Sequence, residues 1–456
     1  MDLGGVVSHS WLFYDVESSD LNTVFGQIMQ YASIRVDENW QEIDRTMFYV
    51  ALTRDRLLSP EAMMVHQIPH HQQVSAYTEY EAAQRIYNEV NTPNTFNGGY
   101  NTLGYDDEVL RFTFYRNFLD AYTHGYKNGC QRFDLFPMIL CFYHAASTAI
   151  KWPTREDRKP SFKLEHLNAA NTLATGQAHD ALVDVSVCVA LAKQLSQDVA
   201  LWEQALSAIG RRFYSGDQLY TMLDPRFSID KRFGSVVFKL GEHSVYKNTS
   251  YWIRLDVQLI ESIDDLRKLM VKKRAGDTRL VIESSPELLN EDLVVKNRVW
   301  IEHNMQIVAE YEQSLTTALY SMVDDLDVDA GLYAHGPFSP NEQKAIVAFK
   351  ENPKDWYQMI HAQTPRLQGM MRRFIWRHYP DYFDAKTEMQ YFEETMGLNR
   401  YRRDYRNRLH PTPDAIIARA QALIEQGPSE DHLHRLNALI QYVQQHFQVV
   451  DDAFCA

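Results

Sequence analysis

Four carboxylates and one histidine stand in three separated clusters of this chain. Asp15 and Glu17 lie in Phe13-Tyr14-Asp15-Val16-Glu17-Ser18, and Asp106 lies in Gly104-Tyr105-Asp106-Asp107-Glu108. His179 and Asp184 complete the set in Gln177-Ala178-His179-Asp180-Ala181-Leu182-Val183-Asp184. Hard oxygen ligands together with one titratable imidazole are what a pair of Mg²⁺ ions requires to hydrolyse a phosphodiester.

The elements that must position these groups can be read from the pattern around them. Trp11 to Val16 is an aromatic and β-branched run, which predicts a buried strand. Residues two apart on a strand share a face, so the Asp15 and Glu17 carboxylates stand side by side and repel unless a cation lies between them. Taken alone, the same pair also fits a solvated strand end. Asp180 to Gln194 is helix-compatible, with Ala181, Val185, Cys188 and Leu191 along one face. Five helical residues turn through about 500°, so His179 and Asp184 converge only if His179 sits in the loop before the helix. That place suits a general base near bound water; a lone histidine before a helix is otherwise a structural group.

The clusters resemble the motifs of the DEDDh 3′→5′ exonucleases, a D-x-E pair, an aromatic-Asp pair and H-x4-D. Tyr100-Asn101, Tyr105-Asp106-Asp107-Glu108-Val109, Phe114-Tyr115-Arg116-Asn117-Phe118, Trp152-Pro153, Pro160-Ser161-Phe162-Lys163-Leu164-Glu165-His166-Leu167 and Ala178-His179-Asp180-Ala181 are similar to the bacterial exodeoxyribonuclease I family. A weaker likeness continues through Asn248-Thr249-Ser250 into the last third of the chain. The resemblance implies that Asp15, Glu17, Asp106 and Asp184 hold two Mg²⁺ ions, with Mn²⁺ able to substitute, and that His179 is the general base. It also implies that Glu17, Lys163, Arg111, Tyr122 and Tyr126 meet the substrate. Lys163 stands where the family has an arginine, which keeps the charge but loses the bidentate fork. Ser18 replaces a threonine and keeps a hydroxyl. Val65-His66-Gln67-Ile68 departs from a small Thr-Gly pair, which leaves the role of His66 open.

The implied activity is 3′→5′ degradation of single-stranded DNA to nucleoside 5′-monophosphates, in DNA repair and recombination. The implied partners are single-stranded DNA and single-stranded DNA-binding protein, through the acidic carboxyl-terminal tail of the latter, with the enzyme a monomer. Three other readings share some of these residues. An RNase T-like exoribonuclease has the same catalytic set, but on a short single-domain chain. A non-catalytic module binding single-stranded nucleic acid would need no base at His179. A zinc hydrolase would draw on His66, His70 and His71, but Pro69-His70-His71-Gln72-Gln73 reads as a loop.

Composition bounds these readings. The chain has 456 residues, 45% of them hydrophobic, and a net charge of −14. That length predicts several domains. No run of about 18 apolar residues occurs, so no membrane span is expected, and the amino terminus lacks the pattern of a secretory signal. The four cysteines, Cys130, Cys141, Cys188 and Cys455, lack metal-ligand spacing, which suits reduced thiols in the cytoplasm. The acidic balance runs against nucleic-acid binding, which draws on local basic footprints. Two basic runs qualify, Arg267, Lys268, Lys272, Lys273, Arg274 and Arg279, and Arg400, Arg402, Arg403, Arg406 and Arg408; either also fits a solvated face.

Strand-like segments at Trp11–Val16, Met29–Val36 and Met47–Leu52 precede a helix-like stretch from Glu79 to Val90, which predicts a mixed sheet covered by helices. Short alternating runs fill Ser228 to Val257, another strand is expected at Leu280–Glu283 and a helix from Asn304 to Met322. Helical periodicity prevails from about Asn352, with one helix opened at Pro411-Thr412-Pro413-Asp414 and ended by Gly427-Pro428. The expected organisation is an α/β RNase H-like exonuclease domain over 1–196, an SH3-like β-containing domain over 197–351 and an all-α domain over 352–456, the domain types being those the resemblance implies.

Overall fold

In the computed structural model, the described residues are 9–66, 68, 76–175, 180–211, 214–215, 218–319, 323–396 and 402–447. Two five-stranded sheets form its framework. The first contains β1 (Ser10–Ser18), β2 (Ile28–Val36), β3 (Glu42–Tyr49), β4 (Thr95–Gly98) and β5 (Gln131–Arg132), in the order β3-β2-β1-β4-β5. β1, β2 and β3 pair antiparallel, whereas β1 with β4 and β4 with β5 are parallel. This is the mixed sheet covered by helices that the sequence predicts for the first part of the chain.

Alternation along β1 separates two cores. Leu12, Tyr14 and Val16 point to the face covered by Val109, Leu110 and Phe114 of the helix Asp106–Arg116. Trp11 and Phe13 point to the other face, against Val185, Cys188 and Leu191 of the helix Ala181–Leu195. Each large apolar side chain buried in this way stabilises the fold by about 1.5–3 kcal/mol. The strand that carries Asp15 and Glu17 is thereby fixed between two helices.

The second sheet is an antiparallel array of β6 (Leu219–Leu223), β7 (Gly234–Glu242), β8 (Thr249–Arg254), β9 (Met270–Arg274) and β10 (Leu280–Glu283), ordered β10-β6-β7-β8-β9. It is the β-containing part expected after the first domain. The carboxyl-terminal region is helical among the described residues, including Pro365–His378, Ala385–Met396, Pro413–Ile424 and Glu430–Phe447.

Packing runs across both expected divisions. The helix Val199–Gly210 places Trp202, Ala205 and Ala208 in the core shared with Trp11 and Phe133. Leu332, Ile346 and Phe349 share a core with Phe374 and Trp376 on one side and with Val24, Phe25 and Leu57 on the other.

Several elements differ from the sequence expectation. β3 spans Glu42–Tyr49 instead of Met47–Leu52. It is an edge strand whose first four residues are exposed and, apart from Ile43, charged, so most of its apolar signal lies at its end. The helix expected from Asn304 to Met322 is Met305–Thr316, and a helix not expected from the sequence, Asp292–His303, runs up to it and is separated from it at Asn304. The Asn304 side chain turns back to the Trp300 carbonyl at 2.7 Å, a local bond that competes with helix continuation.

Candidate active site

Asp15 and Glu17 occupy β1 on one face, both half-buried, between the buried Tyr14, Val16 and Ser18. β4 ends at Gly98, opposite Phe13, so the β4-facing edge of β1 is unpaired beyond that point. Gly99 follows, and a Cβ there would meet the Tyr14 carbonyl at 2.5 Å; only glycine lets the chain leave β4 so close to β1. The freed Val16 amide donates to Asp106 Oδ1 at 3.2 Å. Asp106 opens the helix Asp106–Arg116, whose amino terminus favours a carboxylate.

Asp184 lies in the first turn of the helix Ala181–Leu195. Asp180 caps that helix, its Oδ1 accepting from the Leu182 amide at 3.0 Å. His179 lies outside the described residues, as do His70 and His71.

Burial pushes the Asp15 carboxyl up, and the negative charge of Asp184 adds to the effect. Glu17 is raised first by burial and then by Asp15, Asp184 and Asp180. Asp106 is raised far above the carboxylate range by burial and by Asp15, although the Val16 amide opposes this. Sequence positions as distant as 15, 106 and 184 therefore share one electrostatic field. Among the described residues, no three carboxyl, imidazole or thiol groups form a ready coordination cage. The donor chemistry nonetheless fits a hard divalent cation: the groups are all oxygen donors, partly desolvated, and in mutual repulsion that a cation would relieve.

The expected substrate residues are placed unequally. Arg111 is ion-paired with Glu108 and lies 5.5 Å from the centre of the Tyr122 ring. Tyr333 donates to Glu108 at 2.7 Å, so one cluster joins the Asp106 helix to residues beyond the second sheet. Tyr122 and Tyr126 are exposed, at 41% and 59%. Lys163 is solvent-facing, and its ammonium pairs with Glu165 at 3.1 Å.

His66 ends the helix Pro60–His66 and is buried. Its Nδ1 accepts from the Ile68 amide at 2.9 Å, and burial pushes the imidazole down to about 4. It is a neutral, locally anchored ring.

The basic runs do not form simple cationic faces. Lys273 and Arg279 pair with Asp277, and Arg279 also pairs with Asp224. Arg267 and Lys268 pair with Asp264 and Asp265. Arg402 is buried beside Asp55 and Asp327, and Arg408 pairs with Asp404. Arg400 lies outside the described residues.

Sequence reasoning passed over the groups behind the carboxylates. Tyr14 and Asp107 adjoin Asp15 and Asp106 and are both buried; that adjacency was the available signal. Arg132, on a strand of two residues, offered none. Tyr333, more than two hundred residues from Glu108, offered none either.

Comparison with known proteins places this geometry. Residues 12–192 match the exonuclease family model RNase_T. The chain is 39% identical over 194 residues to exodeoxyribonuclease I of Haemophilus influenzae, which is 42% of this chain and 41% of that protein. The chain is thus matched over about two fifths of that relative's length. Against exodeoxyribonuclease I of Escherichia coli K12 the identity is 26% over 482 residues, covering 97% of this chain and 99% of that protein. The crystal structure of E. coli exonuclease I in complex with a dA16 oligonucleotide superposes with a TM-score of 0.85 at 23% identity, covering 96% of this chain and all of that one.

Proposed function

From its similarity to bacterial exodeoxyribonuclease I along nearly its whole length, we propose that this chain is a Mg²⁺-dependent 3′→5′ exonuclease of single-stranded DNA. The observation that carries the reading is the shared field of Asp15, Glu17, Asp106 and Asp184, set on an exonuclease fold. These four side chains would hold the divalent ions, with Mn²⁺ as a substitute. When bound, such ions neutralise the developing charge and activate water. An E. coli exonuclease I–single-stranded DNA complex in a zinc-bound form supports a divalent site of this kind.

The chain's own groups do the rest. His179, preceding the helix that carries Asp184, takes the proton of the attacking water. The Val16 amide fixes the Asp106 carboxylate. The exposed rings of Tyr122 and Tyr126 stack bases without regard to sequence, and Arg111 and Lys163 meet phosphates. The product is a nucleoside 5′-monophosphate. In this reading the enzyme is a cytoplasmic monomer of DNA repair and recombination, divided at 1–196, 197–351 and 352–456. Recruitment by the acidic tail of single-stranded DNA-binding protein belongs to the same proposal, supported by a structure of exonuclease I with SSB.

The test is digestion of end-labelled single-stranded DNA, blunt duplex and RNA, with Mg²⁺ or with EDTA. Mononucleotide release from the 3′ end of single-stranded DNA, stopped by EDTA, is expected. Equal attack on blunt duplex, release from the 5′ end, or full activity in EDTA would overturn the proposal.

A further inference from the structure

Asp15 is gripped from both sides by one helix end. The residue before it, Tyr14, donates its hydroxyl to Asp107 Oδ1 at 2.5 Å. The residue after it, Val16, donates its amide to Asp106 Oδ1 at 3.2 Å. Asp106 and Asp107 are adjacent at the start of the helix Asp106–Arg116. On a strand, Tyr14 and Asp15 point to opposite faces, so the phenol reaches the helix behind the sheet while the Asp15 carboxylate faces the site. Two consecutive helical side chains thus hold the two neighbours of one strand carboxylate.

The clamp is itself supported. The other Asp107 oxygen is ion-paired with the Arg132 guanidinium from β5. Gly125 lets the Arg132 stem lie flat, since a Cβ there would meet Arg132 Cδ at 3.0 Å. A Cβ on Gly276, in the turn after β9 with φ +80°, would lie 3.5 Å from the same guanidinium. Asp107 and Tyr14 are each 1% exposed, so an unpaired Asp107 charge would stand uncompensated beside the carboxylate cluster. His124 lies 3.6 Å from Asp107, but burial pushes its imidazole down to about 3, so at neutral pH it supplies no countercharge. Arg132 supplies it.

We propose that Tyr14, Asp107 and Arg132 form a positioning clamp that fixes the separation of the Asp15 and Asp106 carboxylates, and thereby sets divalent-ion affinity and turnover. The inference rests on the proposed exonuclease reading. None of the three groups touches substrate; each acts through the carboxylate beside it. Such outer partners of metal ligands typically govern affinity or activity by about 10–100-fold.

The test is Tyr14→Phe, which removes one hydroxyl and leaves the Asp107–Arg132 pair in place. Mn²⁺ binding to the ion-free protein is measured by calorimetry, and kcat and KM on a single-stranded oligonucleotide with Mg²⁺. Expected are a loss of Mn²⁺ affinity and of kcat by about 10–100-fold, an unchanged KM, and an unchanged circular dichroism spectrum. If Tyr14→Phe does not fold, Arg132→Lys, which keeps the charge on Asp107, gives the same readings and is expected to shift them in the same direction by less. Mn²⁺ affinity and kcat within about twofold of the parent in a folded variant would overturn the clamp, as would a parent protein that binds no Mn²⁺. A parent that binds Mn²⁺ yet cleaves no DNA would refute the exonuclease reading alone, and the calorimetry would still decide the clamp.

Discussion

The Val16 amide donates to Asp106 Oδ1 at 3.2 Å, joining the strand of Asp15 and Glu17 to the helix of Asp106 at the site itself. The bond exists because β4 stops opposite Phe13 and leaves that amide without a strand partner. A buried amide demands an acceptor, and the carboxylate that answers it is one of the candidate ligands. Site geometry and backbone satisfaction are therefore the same contact.

Removing one acid from the cluster should separate stability from activity. Asp15→Asn keeps the shape of the side chain but deletes a charge repelled by its neighbours. In EDTA the variant is expected to be more stable than the parent by about 0.5–2 kcal/mol, as for other strained functional sites, while cleavage of single-stranded DNA is lost and binding retained. Urea unfolding and filter binding measure the two halves. A destabilised variant, or one with near-normal turnover, contradicts the assignment.

Divalent ions should stabilise the fold by mass action. At a hundred times the dissociation constant, Mg²⁺ or Mn²⁺ is expected to add about 2.7 kcal/mol. NaCl of equal ionic strength should add far less, because screening alone does not replace a bound ion. Thermal melts across a Mg²⁺ titration, repeated with Asp184→Ala, check this; the variant's melting temperature should respond weakly.

Three buried histidines, His66 among them, bear on the acid limb of stability. His124 is pushed down to about 3 and His378 to about 4, both by burial, from an ordinary 6.5. Because the folded values are the lower ones, the unfolded chain takes up protons first as pH falls. The histidine contribution is then complete above about 6.5 and declines down to the folded values, at about 1.4 kcal/mol per pH unit for each group, against an opposite gain from the raised Asp15, Glu17 and Asp106 carboxyls in the ion-free protein. Urea midpoints between pH 7 and pH 4 measure the slope, and His124→Gln should flatten it. An unchanged slope would assign the acid limb to other groups.

A buried ionic network ties the carboxyl-terminal helices to the loop after β3. Arg377 pairs with Asp55 at 2.5 Å and also with Asp329, while Arg56 pairs with Asp329 at 2.6 Å. Deleting one partner leaves a buried charge uncompensated, so Asp329→Ala is expected to cost about 3–5 kcal/mol. Guanidinium unfolding gives the number, and a loss below about 1 kcal/mol would show that water reaches the network.

The same network, with the core shared by Phe25, Leu57, Phe349 and Trp376, predicts the outcome of truncation. Removing 352–456 strips one wall of that core, so the shortened chain is expected to aggregate or to unfold without cooperativity. Analytical centrifugation with near-ultraviolet circular dichroism tests this, and a soluble, cooperatively folding fragment would contradict it.

Local elements and local chemistry are legible along the chain. The period-two run at Trp11–Val16 placed Asp15 and Glu17 on one face, and the helix expected from Asp180 to Gln194 is the observed Ala181–Leu195 with Asp180 as its cap. Leu280–Glu283 has the expected bounds as well, because a short apolar run between turns leaves little choice. What distant residues do to one another emerges only from folding. Arg402 read as part of a basic run and is instead buried beside Asp55 and Asp327, since a cation takes its environment from whichever acids folding brings to it. Tyr14 read as core, yet its hydroxyl grips Asp107; nothing in the spacing of positions 14 and 107 encodes a bond between strand and helix. Periodicity is written in neighbours along the chain, whereas the pairing of buried charges is fixed by the packing of helices and sheet.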